Sequence, residues 1–457
     1  MFRYKIRILP VLVLVLFGCK ENHEIHLAER GQIDLSNTIF GDQAVFDLNG
    51  QWEFYPNRII DPENLKAHEA ARRLATVPTS FNRYTESDLR LPAEASATYR
   101  LYLNLPAQIA NYTFRLPSGQ TASRFFINGH SEVQNGVVSE LIEQVRAGSR
   151  MRYVQLPLAG KTEIVIQVSN ADSHRGGISR PISVASARAM DQFRLRALIL
   201  DIVVSVALMT FAFYHILLFL LRHPEPSSVY YGIFCLLVGT GRLFVGEQIF
   251  DDVFPSVPWG VRLRLEYLVN VLDAAFFVIY IRNFFAELRQ KLVFKLLVFL
   301  SVLFSVATLI VPQGVVRYLR EPFQLGLAVM APIAIVYLAR LAFRNVYGAR
   351  VLTLGVMGIT AAFFNDALSS AEVISTPTVF SLAILAFTFL QAILISGKSV
   401  TLFYENAELS QKLLRSDKLR DEFLTQTSHE LRTPVQAMVQ TLENVRRGVS
   451  GAVSEQV

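Results

Sequence analysis

Residues 197–221 read ALILDIVVSVALMTFAFYHILLFLL, a stretch apolar and long enough to cross the hydrocarbon core of a bilayer as one helix. Runs of the same character recur at roughly 227–248, 262–283, 291–311, 321–340, 348–366 and 376–397, so residues 195–398 are expected to form a seven-helix transmembrane bundle. The composition agrees, with 52% hydrophobic and 18% charged residues where soluble chains carry about 25% charged. A chain of 457 residues has room for about three units, which excludes one compact fold. The net charge of +6 does not point to nucleic acid, because topology alone places basic residues beside membrane spans. Only Cys19 and Cys235 are present, too few for a disulfide framework or a thiolate metal site.

The loops set an orientation. Arg222, then Arg282, Arg289 and Lys291, then Arg340, Arg344 and Arg350, and finally Lys398 fall on one side, while the loops around Asp251-Asp252 and Glu372 on the other are nearly free of basic residues. Arg317 and Arg320 are the exceptions. The positive-inside rule therefore places the first side and the C-terminus in the cytoplasm and the N-terminal region outside, as in a multi-pass protein of the bacterial inner membrane. Arg3, Lys5 and Arg7 followed by the apolar run Ile8 to Phe17 read as a secretory signal over residues 1–19. The ending Leu16-Phe17-Gly18-Cys19 is similar to a lipoprotein cleavage box, so lipidation of Cys19, ordinary cleavage and an uncleaved anchor all stay open. Within or near the spans, His215, Arg242, Glu247, Asp273 and Asp366 are candidate functional groups, since charge in hydrocarbon is costly. Arg242 and Asp273, on neighbouring antiparallel helices and offset by about five residues, are expected to meet as a helix-to-helix pair. A transporter is the rival reading, but no internal repeat or Gly/Pro-broken helix speaks for it.

After a linker at 20–45, residues 46–190 alternate in polarity over short runs such as Tyr99-Arg-Leu-Tyr-Leu-Asn-Leu and Glu163-Ile-Val-Ile-Gln-Val, separated by Pro106, Pro117-Ser-Gly, Asn128-Gly129 and Gly176-Gly177. Strands at this spacing predict an extracytoplasmic, all-β antiparallel sandwich, here expected to be a jelly roll. Trp52 is expected in its core and Asn128-Gly129 in a hairpin turn. Asn170, His174 and Arg175, a polar cluster on a loop, are candidate ligand-binding residues.

Several groups here carry a resemblance: Leu48-Asn-Gly-Gln-Trp52-Glu-Phe-Tyr with Pro62 downstream, Thr98-Tyr99-Arg100, Phe126-Ile-Asn128-Gly129, and Ser169-Asn170 followed by His174-Arg175-Gly176-Gly177. Together they resemble the galactose-binding-like outer domain of the seven-transmembrane receptors with diverse intracellular signalling modules. The resemblance implies an unknown small-molecule or carbohydrate ligand; carbohydrate follows from the fold's reputation alone, and fold does not establish function.

Beyond Lys398 the chain turns polar. Leu402, Asn406, Leu409, Leu413, Ser416, Arg420 and Phe423 alternate gaps of four and three, the heptad spacing of a short coiled-coil linker over 399–418. Residues 419–457 then contain Asp421-Glu-Phe-Leu-Thr-Gln-Thr-Ser428-His429-Glu430-Leu431-Arg432-Thr433-Pro434. At 100° per residue, Leu424, Leu431, Val435, Met438 and Leu442 gather within roughly 60° of one helix face, and His429 lies roughly 150° from its middle. Thr433 shares the outward face of His429, and Pro434, which lacks an N–H for the preceding turn, is expected to bend the helix.

This segment closely resembles the phosphoacceptor box of sensor histidine kinases. The resemblance implies a homodimer in which this is the first helix of a four-helix bundle. It makes His429 the phosphoacceptor, Glu430 the group that accepts or orients the ring proton, and Thr433 the side chain that positions water for phosphatase activity. The implied phosphate donor is ATP with Mg, and the implied partner is a response regulator with an acceptor aspartate. No second bundle helix and no ATP-binding motif appears before Val457, so this chain alone is not expected to be active. It is expected to be either the N-terminal part of a longer kinase or a shortened receptor, a non-catalytic phosphoacceptor that relies on a separate kinase.

Overall fold

The structure, a computed structural model, describes residues 23–24, 26–86, 88–117, 121–148, 150–171, 176–222, 226–370, 374, 376 and 379–447. The expected signal peptide with Cys19, and also His174, Arg175 and Glu372, lie outside the described residues. Two compact units divide the chain, Met1–Leu390 and Gln391–Val457.

The first unit begins with two β-sheets around a shared core. One has five strands, in the order His23–Glu24, Val45–Asp47, Ser183–Ser186, Ala110–Leu116 and Arg152–Leu158. The main path of the other runs His130–Asn135, Ala122–Ile127, Lys161–Ser169, Ser96–Asn104, Asn49–Pro56 and Leu27–Ala28. Gln32–Asp34 joins it beside Ser96–Asn104, and Arg73–Val77 joins it beside Asn49–Pro56. The period of two seen in the sequence is the packing rule: Ala97, Tyr99, Leu101 and Leu103 point into the core with Ile164, Ile166 and Val168, while Thr98, Arg100 and Gln167 point to the far face. Phe46, Tyr112, Phe114 and Val184 of the five-stranded sheet fill the same core from the other side. Trp52 is fully buried there, and its indole N–H donates to the Leu48 carbonyl at 2.9 Å, so its one polar atom is satisfied. Asn128 and Gly129 both have positive φ, +48° and +84°, as the two-residue hairpin turn between Ala122–Ile127 and His130–Asn135 requires.

The far face of the larger sheet is also covered. Tyr55, Ile60, Leu65, Phe126 and Val165 form a second apolar cluster beneath the Pro62–Ala71 turn helix, and beside it Arg100 pairs with Glu53. Arg72 reaches the same carboxylate at 3.1 Å. Arg100 is thus a buried cation with a buried anion, an arrangement that survives only while both partners are present.

Two expectations about boundaries change. The segment expected as a linker over residues 20–45 contributes His23–Glu24, Leu27–Ala28 and Gln32–Asp34, each added parallel to its neighbour in an otherwise antiparallel domain. Strands of two or three residues leave no alternation to read, which is why the sequence did not show them. The sandwich also has no linker to the helices: Ser183–Ser186 runs directly into the helix Ala187–Arg222, whose start is capped by Ser186 Oγ accepting the Ala189 N–H at 3.2 Å.

Helices follow at Ala187–Arg222, Pro226–Arg242, Trp259–Phe284, Leu292–Ile310, Arg320–Phe343 and Ala349–Ser370, with the long helix Phe380–Arg446 last. Among the described residues, four segments are long and apolar enough to cross a membrane, Ala187–Leu221, Leu292–Ile310, Gln313–Phe343 and Ala349–Ser369, and Phe380–Ile395 is a shorter apolar stretch. Pro226–Arg242 has 17 residues, about 25 Å at the helical rise, and Trp259–Phe284 carries Arg262, Arg264, Glu266, Asp273 and Arg282. The first two helices pack closely because the second presents Ser228, Gly232, Cys235 and Gly239 on its buried face. A Cβ on Gly232 would stand 2.9 Å from Ile216, and one on Gly239 would stand 3.1 Å from the Ser205 carbonyl. Arg264 closes the end of Leu292–Ile310 by donating to the Thr308 and Val311 carbonyls at 2.6 and 2.8 Å.

Candidate functional site

His429 stands on the 67-residue helix Phe380–Arg446, which continues without interruption through Pro434. Its ring is exposed, and the stripe on the opposite side is exposed as well: Leu424, Leu431, Val435, Met438 and Leu442 are each more than half accessible, Leu431 at 60% and Leu442 at 68%. The apolar stripe is thus left uncovered among the described residues. Around His429, the Thr433 hydroxyl donates to the His429 carbonyl at 3.2 Å, and the Glu430 carboxylate accepts from Gln426 Nε2 at 3.1 Å. Both groups therefore lie within one turn of the imidazole, each held by an i to i−4 contact that must turn outward before it can serve chemistry at the ring. Among the described residues, no group of three or more His, Cys, Asp or Glu is placed to hold a metal ion.

Of the candidate ligand residues in the sandwich, Asn170 is fully buried; its Nδ2 donates to the Ala93 carbonyl at 2.7 Å and its N–H to the Ala95 carbonyl at 2.9 Å. Those bonds tie two loops together, a structural task. His174 and Arg175 fall outside the described residues.

The ionisable residues of the helical region separate into distinct environments. His215 is buried between the Tyr214 and Tyr231 rings, with centroids at 5.0 and 5.1 Å. The Asp366 carboxylate accepts the backbone N–H groups of Val379 and Phe380 at 2.9 and 3.2 Å and so caps the start of the His429 helix. Arg242 does not meet Asp273. It pairs with Asp201 of the first membrane helix, whose second oxygen accepts the Glu247 N–H at 3.1 Å. Asp201 and Arg242 stand on the consecutive helices Ala187–Arg222 and Pro226–Arg242, and the pair ties these two helices together.

A second cluster also escaped the sequence reading. Arg262 is buried, with Nε on Asp251 at 2.8 Å, Nη1 on Glu266 at 3.1 Å and Nη2 on the Phe244 carbonyl at 2.8 Å. The i, i+4 spacing of Arg262 and Glu266 is the signal that could have found it. Burial pushes the Asp251 carboxyl above its ordinary range, with the Arg262 cation opposing.

No curated protein matches the chain. Among solved structures, the β-glucuronidase of an uncultured Clostridium sp. is similar at 15% identity over 31% of this chain and 28% of its own, with a TM-score of 0.24. The Ruminococcus gnavus β-glucuronidase gives 15% identity, 32% and 28% coverage and a TM-score of 0.25. A β-D-glucuronidase from Dictyoglomus thermophilum gives 16%, 31%, 27% and 0.23. The chain thus spans less than a third of the length of these structures. Residues 197–397 match the family model described as 7TM diverse intracellular signalling. With its apolar helices, this match makes the chain a multi-pass membrane protein whose helical region is similar to that of the sensory receptors with intracellular signalling.

Proposed function

We propose that this chain is a two-component receptor of the bacterial inner membrane. The sandwich senses an extracytoplasmic or membrane signal, seven helices cross the bilayer, and His429 on the cytoplasmic side accepts a phosphoryl group and hands it to a response-regulator aspartate. The observation that carries the reading is the box Ser428-His429-Glu430-Leu431-Arg432-Thr433-Pro434 on a helix that begins in the last apolar segment, with its histidine exposed and its apolar stripe uncovered. A second copy of the same helix supplies the missing cover, which gives the homodimer its reason.

The chemistry asked of this chain is nucleophilic. The neutral imidazole is the reactive form, in which one ring nitrogen offers its lone pair to the phosphorus. The new N–P bond forms as the donor's P–O bond breaks, and the proton on the other ring nitrogen passes to a base. Glu430 is adjacent and reaches it once it leaves Gln426. Thr433, released from the His429 carbonyl, is suited to hold the water that later removes phosphate from the regulator. ATP and its Mg would be held by a domain other than the sandwich, the membrane helices and the phosphoacceptor helix. His429→Gln in the whole receptor should abolish phosphate transfer while membrane insertion stays intact; label persisting on the variant would remove His429 from its assigned role.

A further inference from the structure

Apart from the phosphoacceptor helix, the molecule contains a continuous buried path of polar contacts from the sensor sheet into the membrane helices. Tyr153 and Arg115 stand opposite each other in register on the outer face of the five-stranded sheet, and both address Glu247. The Tyr153 hydroxyl donates to Oε2 at 2.6 Å, and Arg115 Nη2 lies 3.7 Å from Oε1. Beside them, Gln248 Oε1 accepts the Met151 N–H at 2.9 Å, and Arg150 donates to the Pro255 carbonyl. From the other side, the backbone N–H of the same Glu247 donates to Asp201 Oδ2 at 3.1 Å, while Arg242 holds Oδ1. Asp201 is 2% exposed, and Gly246, at φ +67°, lies so close that any side chain there would meet its carboxylate. The Asp201 helix is also the one into which the last strand runs. The sheet is therefore attached to it twice, covalently at Ala187 and through Glu247 at Asp201, fourteen residues and about 21 Å further along the axis.

We propose that Tyr153, Glu247 and Asp201 form the coupling element of this receptor. A shift in the strands Ala110–Leu116 and Arg152–Leu158 moves Glu247, and Glu247 sets the Asp201–Arg242 pair that fixes the first helix against the second. These are positioning residues. Burial raises the Tyr153 phenol well above its ordinary range, so it remains an O–H donor to Glu247 throughout physiological pH. Two attachment points on one helix convert a change of sheet shape into a change of helix position, because one point cannot move without loading the other. The coupling is reciprocal, as any equilibrium coupling must be.

The test is hydrogen exchange on the full chain in lipid nanodiscs, a readout independent of phosphate transfer. Tyr153→Phe deletes one hydroxyl on the sensor side and should speed exchange of residues 243–250 about 10-fold. Asp201→Asn, inside the membrane helix, should speed exchange in strands 110–116 and 152–158, which do not touch it, by about the same factor. The double variant should exchange no faster than the faster single one. Thr210→Val, on the same helix but bonded only to the Val206 carbonyl, should change neither region. Should Asp201→Asn fail to insert, Arg242→Lys takes its place with the same expectations. Effects confined to the neighbourhood of each substitution, or additive in the double variant, would overturn the proposal.

Discussion

Gly246→Ala places the smallest possible side chain where the structure leaves no room for one. At φ +67° an alanine incurs left-handed backbone strain of about 1–2 kcal/mol. Its Cβ would also press on the Asp201 carboxylate, with Cγ only 3.0 Å away, and displace an anion that holds Arg242 and the Glu247 N–H. Weakening one charge-assisted hydrogen bond adds about 2 kcal/mol, so the local cost is about 3–4 kcal/mol. Gly129→Ala is the control, since its φ of +84° carries the same backbone strain while its Cβ meets nothing within 4 Å. The receptor has more than one unit, so a single melting temperature is not the right measure, and local amide exchange is. Protection of the Glu247 amide should fall about 100- to 1000-fold in Gly246→Ala, and protection around the hairpin turn by about 10-fold in Gly129→Ala, at 1.4 kcal/mol per decade. Equal losses at the two sites would show that the Asp201 contact contributes nothing and refute the reasoning.

Other expected outcomes follow from the same packing. Trp52→Ala should destabilise the sandwich by about 3–5 kcal/mol, seen as a loss of protection across its strands, because a fully buried indole and its bond to the Leu48 carbonyl disappear together. Glu53→Ala should cost about 3–5 kcal/mol by leaving Arg100 buried without its closest anion, whereas Glu53→Leu combined with Arg100→Met should cost much less; equal losses would contradict the ion-pair explanation. For Asp251 the sign follows from the direction of its shift. A carboxyl raised in the folded state contributes its stability below the unfolded pKa and loses it as pH rises through the folded one, so amide protection of residues 249–262 in wild type should gain on that in Asp251→Asn as pH falls from 7 towards 4, the two measured in parallel. A relative loss on acidification would mean that the Arg262 pair outweighs burial.

Particular residues show what the sequence could and could not reveal. Trp52 and Asn128-Gly129 were legible because burial of a large ring and a two-residue turn with positive φ are local demands that few other residue types meet. Asn170 was placed on a loop by the sequence, but its burial and the bond of its side chain to the Ala93 carbonyl are long-range features that the local pattern leaves open. Asp201 was missed and Arg242 given the wrong partner because, by depth alone, an offset of about five residues fits Asp201 and Asp273 equally well. Helix rotation decides between them, and it is set by the close packing at Gly232 and Gly239, small residues that a count of apolar runs passes over. The docking of Glu247 under Tyr153 is a contact between residues 94 positions apart, of the long-range kind that a single sequence leaves open. The helix that carries His429, with the histidine exposed opposite the apolar stripe, was legible because its periodicity is encoded on one contiguous stretch.

The most direct test of the receptor reading is to isolate the protein from its native membranes after labelling with γ-phosphate-labelled ATP and to map the label by mass spectrometry at neutral to alkaline pH, where phosphohistidine survives. The expected result is an acid-labile phosphate on the peptide containing His429, absent from His429→Gln. Label on a serine, threonine or aspartate of the chain instead, with the His429 peptide unmodified, would contradict it.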